Sequence, residues 1–252
     1  LSGNNIITLP PNIFEKLTQL ENIYLCGNPM KSMKKSVFEA NWYGFKERIR
    51  KSQLQIHGVT IDESIKLTQD NIDPYLDLTN PILNASNKMI GIIDPHVFDK
   101  LTNLEAINLY NNEITALPDN IFDKLTNLQT IDLSYNQITT LPDKIFDTLI
   151  ELKYIGLSNN NITTLPANIF DTLKKLEFII LSNNKIITLP DKIFEKLTPL
   201  KKIYLANNQI TNLPDKIFEK LTQLQKIDLS GNPMKSMNQS VFGTNWKTFN
   251  SN

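Results

Sequence analysis

Leu104, Leu128, Leu152, Leu176, Leu200 and Leu224 stand 24 residues apart, and each opens nearly the same sentence. Residues 128–151 read LQTIDLSYNQITTLPDKIFDTLIE, and residues 152–175 read LKYIGLSNNNITTLPANIFDTLKK. A unit this short cannot enclose a core by itself. Its apolar face must be covered by the next copy, so the chain is restricted to a solenoid of stacked coils. Function then has to be sought at the few positions that differ between copies.

Numbering each copy from its first leucine, positions 1, 4 and 6 are apolar, as in Leu128, Ile131 and Leu133. The alternation at positions 4 and 6 is that of a short strand with one buried face. Strands from successive copies are expected to form one parallel sheet, neighbours roughly 4.8 Å apart. Position 9 is asparagine in Asn112, Asn136, Asn160, Asn184, Asn208 and Asn232. A carboxamide both donates and accepts, so a stacked row of them can satisfy backbone groups where the chain leaves the strand. Ile138 and Leu141 return to the core at positions 11 and 14, and Pro142, Pro166, Pro190 and Pro214 follow, fixing φ at a corner. An IFxxL segment then places Phe122, Phe146, Phe170, Phe194 and Phe218 where they can stack as a spine. Its spacing of three predicts a helical or 3₁₀ turn on the convex side.

The period also runs backwards. Residues 1–17 contain part of a copy, and a variant copy ending in CGNPMKSMKKSVFEANW reaches residue 42. Nearly the same text, SGNPMKSMNQSVFGTNW, ends the later array from Ser230, with Asn238 in place of proline and Trp246 near its end. A terminal copy that departs from consensus is the expected cap of a solenoid. The reading is therefore of three segments. Residues 1–42 form the C-terminal part of a first array with a cap-like last repeat. Residues 43–79 form a non-repeat connector, with a short amphipathic helix expected in GFKERIRKSQLQ. Residues 80–252 form a second array with a degenerate first repeat, displaced or frayed, and a C-terminal cap. The first residues lie in mid-repeat, without an initiator methionine, and read as those of a fragment or of a processed or trimmed chain.

Positions 3, 5 and 7 face away from the core and are free to vary. In the fourth to sixth copies of the second array they place Tyr154, Phe178, Ile180 and Tyr204 on consecutive strands, with Lys202 and Lys226 on one flank and Asp132 on the other. An aromatic cluster with a polar rim is the expected form of a protein-binding surface. These seven residues are the candidate binding site.

The text LxxLxLxxN with its 24-residue spacing resembles the typical class of leucine-rich repeats, as in the ectodomains of Toll-like receptors and the variable lymphocyte receptors. The resemblance covers residues 1–38 in part and residues 83–242 well. It implies an α/β solenoid, a horseshoe with a parallel concave sheet and short helical or 3₁₀ turns outside, which recognises ligands on its concave face. One departure stands out: receptor ectodomains of this class end in disulfide-bonded caps, whereas NPMKSMNQSVFGTNWKTF has no cysteine.

Little in the chain suggests catalysis. His57 and His96 are the only histidines and lie outside the clean copies, and Cys26 has no histidine nearby in sequence to act as its base. The repeated acids come one per coil, so no metal, cofactor or catalytic residues are expected. Net charge is zero, which argues against a nucleic-acid partner, and no apolar run is long enough to insert into a membrane. With one cysteine there is no internal disulfide, which favours a cytoplasmic over an extracellular setting. Sequons at Asn84, Asn161 and Asn238 are those expected by chance in an Asn-rich chain. The leading expectation is a non-enzymatic recognition module with a protein partner. The alternatives are a structural or surface-associated scaffold without a specific ligand site and, more distantly, the non-catalytic part of a larger enzyme such as a ubiquitin ligase or kinase.

Overall fold

The computed structural model describes residues 1–10, 13, 14, 17, 21–26, 28, 29, 32–34, 55–57, 60–62, 65–77, 79–234 and 238–245. The chain divides into two compact units, Leu1–Ser64 and Ile65–Asn252. The boundary falls inside the stretch 43–79.

The first unit contains β1 (Asn22–Tyr24), β2 (Ser32–Lys34), β3 (Gln55–His57) and β4 (Thr60–Asp62). β3 lies parallel to β1 and β4 parallel to β2. Phe14, Ile23 and Leu25 are buried. Asn28 Oδ1 accepts the Ile6 N–H at 3.1 Å, while its Nδ2 donates to the carbonyls of Leu1 and Leu25 at 2.8 and 2.9 Å. The amphipathic helix expected at 44–55 falls largely outside the described residues, and its last residue, Gln55, opens β3. Trp42 and Trp246 also lie outside them.

In the second unit, β5 (Ile65–Leu67) pairs in parallel with β8 (Ile90–Ile93), with a shift of register between Ile65 and Lys66. An eight-stranded sheet carries the rest. It runs from β6 (Leu76–Asp77) through β7 (Ile82–Asn84), β9 (Ala106–Asn108), β10 (Thr130–Asp132), β11 (Tyr154–Gly156), β12 (Phe178–Ile180) and β13 (Lys202–Tyr204) to β14 (Lys226–Asp228). All neighbours in it are parallel except β6 and β7, which are antiparallel. The degenerate first repeat of this array is neither displaced nor frayed: Leu83 stands opposite Ile107, and Leu83, Ala85, Ile90, Ile93, Val97 and Phe98 are buried. Its apolar positions suffice for the coil to stack, even though Lys88 replaces the ladder asparagine.

The strands stop after three residues because the chain turns at position 8 into a left-handed conformation, φ between 52° and 58° at Asn87, Asn111, Asn159, Asn183 and Asn207. Asparagine tolerates that region better than most residues, and Gly231 takes the same position in the last coil with φ 71°. Position 9 follows and turns inward. Asn160 Oδ1 accepts the N–H of Ile138 at 3.0 Å, and its Nδ2 donates to the carbonyls of Leu133 and Leu157 at 3.0 and 3.1 Å. Asn112, Asn136, Asn184, Asn208 and Asn232 repeat the arrangement coil after coil. The expected ladder is thus present, and it bridges coils rather than only closing each turn.

On the opposite side the fully buried phenylalanines stack. Phe146 to Phe170 and Phe170 to Phe194 are each 6.4 Å between ring centres with 10° between planes. The IFxxL segments are turns closed by i→i+3 bonds, such as Leu149 N–H to the Phe146 carbonyl at 3.0 Å and Leu173 N–H to Phe170 at 3.1 Å. The turn segment after each proline, such as residues 143–148, is too short to nucleate an α-helix. Among the described residues, 3₁₀ helix forms at Asp73–Tyr75, ahead of β6, and in the last coil at Gln239–Asn245, interrupted at Gly243, where Val241 and Phe242 are buried against the end of the core.

Two substitutions test this construction by urea unfolding. Phe170→Ala is expected to cost about 3–5 kcal/mol through the cavity left in the spine. Asn160→Ala, which leaves the buried Ile138 N–H without its acceptor and takes one of two carboxamide donors from each of the Leu133 and Leu157 carbonyls, is expected to cost about 1–3 kcal/mol. A loss well under 1 kcal/mol for Asn160→Ala would mean that the ladder is not structural.

Candidate functional site

The strand register assembles the concave face. One row crosses it as Thr130, Tyr154, Phe178, Lys202 and Lys226, and a second as Asp132, Gly156, Ile180, Tyr204 and Asp228. All seven candidate residues therefore share this face. Tyr154, Phe178, Ile180, Tyr204, Lys202 and Asp132 are half-buried and Lys226 is exposed, while the residue between each pair points into the core.

The contacts within the patch differ from a simple aromatic stack. Among the described residues no ring–ring contact joins Tyr154, Phe178 and Tyr204. Instead the lysines sit over the rings: Lys202 Nζ lies 5.8 Å from the centre of Phe178, and Lys226 Nζ lies 5.2 Å from the centre of Tyr204. Such a placement holds an ammonium by the quadrupole of the ring. Neither lysine has a carboxylate partner among the described residues. Lysines at position 2 do have polar partners: Lys201 Nζ meets Glu177 Oε2 at 2.6 Å, and Lys153 Nζ donates to Gln129 Oε1 at 2.8 Å.

Asp132 is turned inward along its own strand, where Oδ1 accepts the Ser134 N–H at 2.9 Å. It leans over Gly156, at which a Cβ would come within 2.6 Å of that oxygen. Burial raises the Tyr154 phenol above its ordinary value, and the negative charge of Asp132 adds to the effect. Asp228 accepts the Ser230 hydroxyl at 2.7 Å and the Ser230 N–H at 3.1 Å. Those bonds, the hydroxyl first, hold its carboxyl below the ordinary aspartate value, with Lys226 contributing.

Two features of the face escaped the sequence reading. The first is Tyr135, at position 8 with φ 57°, whose ring packs 5.0 Å from that of Tyr110. Tyr135 is 47% exposed, so the pair forms a second aromatic surface on the neighbouring coils. Its signal was the tyrosine standing where other copies have the left-handed asparagine. The second is a difference in backbone pairing. In four coils the position-5 side chain accepts the N–H at position 7: Asn84 to Ser86, Asn108 to Tyr110, Asp132 to Ser134 and Asp228 to Ser230. The three coils that carry Gly156, Ile180 and Tyr204 have no such acceptor. There, the N–H groups of Ser158, Ser182 and Ala206 meet none among the described residues.

Away from this face, His96 Nδ1 lies 3.2 Å from Asp99 Oδ2 on an exposed surface, and Cys26 is exposed. Among the described residues no three His, Cys, Asp or Glu side chains group closely enough to hold a metal, and no helix is long and apolar enough to cross a membrane.

The leucine rich repeat family model matches residues 82–138, 126–186 and 179–234. Among solved structures, a leucine-rich repeat protein of Leptospira interrogans is 30% identical with a TM-score of 0.53 over 93% of this chain. Drosophila Toll, in its complex with Spatzle, is 25% identical with a TM-score of 0.60 over 95% of this chain. The chain spans 49% of the Leptospira chain and 27% of the Toll-complex chain. No curated protein sequence matches at a significant level.

The close fit of Asp132 over Gly156 generates a coupled pair of variants. Gly156→Ala is expected to cost about 1 kcal/mol, because the new methyl displaces Asp132 from the Ser134 N–H. In an Asp132→Ala background the same change should cost clearly less, leaving only the approach of the new methyl to Ser134 Oγ at 3.0 Å. Equal losses in both backgrounds, measured by chemical denaturation, would show that the carboxylate is not what Gly156 accommodates.

Proposed function

Because the chain belongs to the leucine-rich repeat family, we propose that it is a protein-binding module. Its concave sheet captures a protein partner through Tyr154, Phe178, Ile180 and Tyr204, rimmed by Lys202, Lys226 and Asp132. Leucine-rich repeats serve generally as protein-interaction scaffolds and are typically non-catalytic.

The observation that carries the reading is the register of β11, β12 and β13, which sets four large side chains side by side on a face that the core does not need. Aromatic anchors surrounded by polar groups are where binding energy concentrates in protein interfaces. The likeness to Toll, solved in complex with the protein Spatzle, is consistent with a protein as the partner.

Phe178→Ser combined with Tyr204→Ser tests it. Both side chains are only half-buried and lie outside the buried core, so the melting temperature should stay close to that of the parent chain. Loss of two anchors should weaken partner capture in a pull-down by about 30-fold or more. Undiminished capture by the folded double variant would overturn the assignment.

A further inference from the structure

The chemistry of the concave patch restricts the partner further. Lys202 and Lys226 form no ion pair among the described residues, although Lys226 acts on Asp228 through its charge. Asp132 and Asp228 are already engaged by the backbone and hydroxyl groups of their own strands. The four charges sum to zero but are separated: Asp132 lies on β10, three strands from Lys202 on β13, so the end of the patch around Phe178 and Tyr204 carries Lys202 and Lys226 against Asp228 alone. Each lysine has one side held over an aromatic ring, which fixes its position while leaving the ammonium free to bond elsewhere.

The row of N–H groups at position 7 points to the same chemistry. In the coils of Asp132 and Asp228, a carboxylate oxygen sits on this N–H at 2.9 and 3.1 Å. Ser182 and Ala206, in the coils of Ile180 and Tyr204, present the same N–H without an acceptor among the described residues. The position-7 donors thus hold a side-chain oxygen, from a carboxylate in two coils and from the carboxamides of Asn84 and Asn108 in two others, and among the described residues no side chain supplies one in the central coils.

Resting on the protein-binding reading above, we propose that the partner presents an acidic polypeptide segment. Its carboxylates meet Lys202, Lys226 and the N–H groups of Ser182 and Ala206, and its apolar residues cover Tyr154 and Ile180. A single-stranded nucleic acid fits less well. Bases stack on open aromatic faces, whereas the faces of Phe178 and Tyr204 are occupied by ammonium groups, and two lysines are few for a phosphate backbone.

A random dodecapeptide library displayed on phage, selected against the full 252-residue chain, tests the inference. The peptides expected carry Asp or Glu beside aromatic or aliphatic residues. The strongest is then synthesised with its acids intact and with each replaced by the amide, and both are titrated calorimetrically. Amide replacement and the Lys202→Gln/Lys226→Gln variant should each weaken binding about tenfold or more, and the two together little more than either alone. Selection of basic or uncharged peptides, or equal affinity for the acid and amide forms, would overturn the acidic chemistry while leaving the concave site standing. Binding that survives Phe178→Ser/Tyr204→Ser would overturn the concave site itself. A library that yields no binder, or an oligouridine decamer that binds more tightly than the selected peptide, would overturn the proposal of an acidic polypeptide.

Discussion

A buried carboxamide recurs once per coil, and the rest of the solenoid depends on it. Where each strand ends, the backbone must leave the sheet and cross the interior, which would strand N–H and carbonyl groups away from water. The position-9 asparagines answer this by accepting an N–H from the preceding coil and donating to one carbonyl there and one in their own coil. Because each side chain bonds in two coils, it fixes the stacking distance and the rotational phase between them. No apolar residue could do that, since burial is not directional.

Once the phase is fixed, the leucines, isoleucines and stacked phenylalanines fall into continuous columns, and the strands fall into register. Register is what makes the concave face usable. A residue at position 3 or 5 has the same position of the next coil as its neighbour, so four substitutions spread over 50 residues become one surface. The scaffold tolerates those substitutions because its own stability rests on the alternate positions.

Within the site, the order of dependence runs from backbone to charge. The left-handed turn at position 8 leaves the position-7 N–H beside the concave face, and a short carboxylate or carboxamide at position 5 ordinarily occupies it. Replacing that group by Gly156, Ile180 and Tyr204 exchanges an internal hydrogen bond for room and apolar surface. Lys202 and Lys226 then settle over the rings rather than over a carboxylate.

The 24-residue period determined by itself the fold class, the buried columns, the asparagine ladder and the membership of the two concave rows. Each of these follows from a local periodicity of two residues in a strand or from the recurrence of one residue type. The period could not show that residues 55–57, 60–62 and 65–67 form strands, since no repeat marks them. Nor could it show that the lysines cap the aromatic rings, that Tyr135 turns back onto Tyr110, or that three N–H groups lose their usual acceptor. Those depend on how side chains from different coils meet across the sheet. Sequence spacing determines which residues become neighbours, but the direction in which a flexible lysine or a left-handed tyrosine turns is decided only once its neighbours are in place.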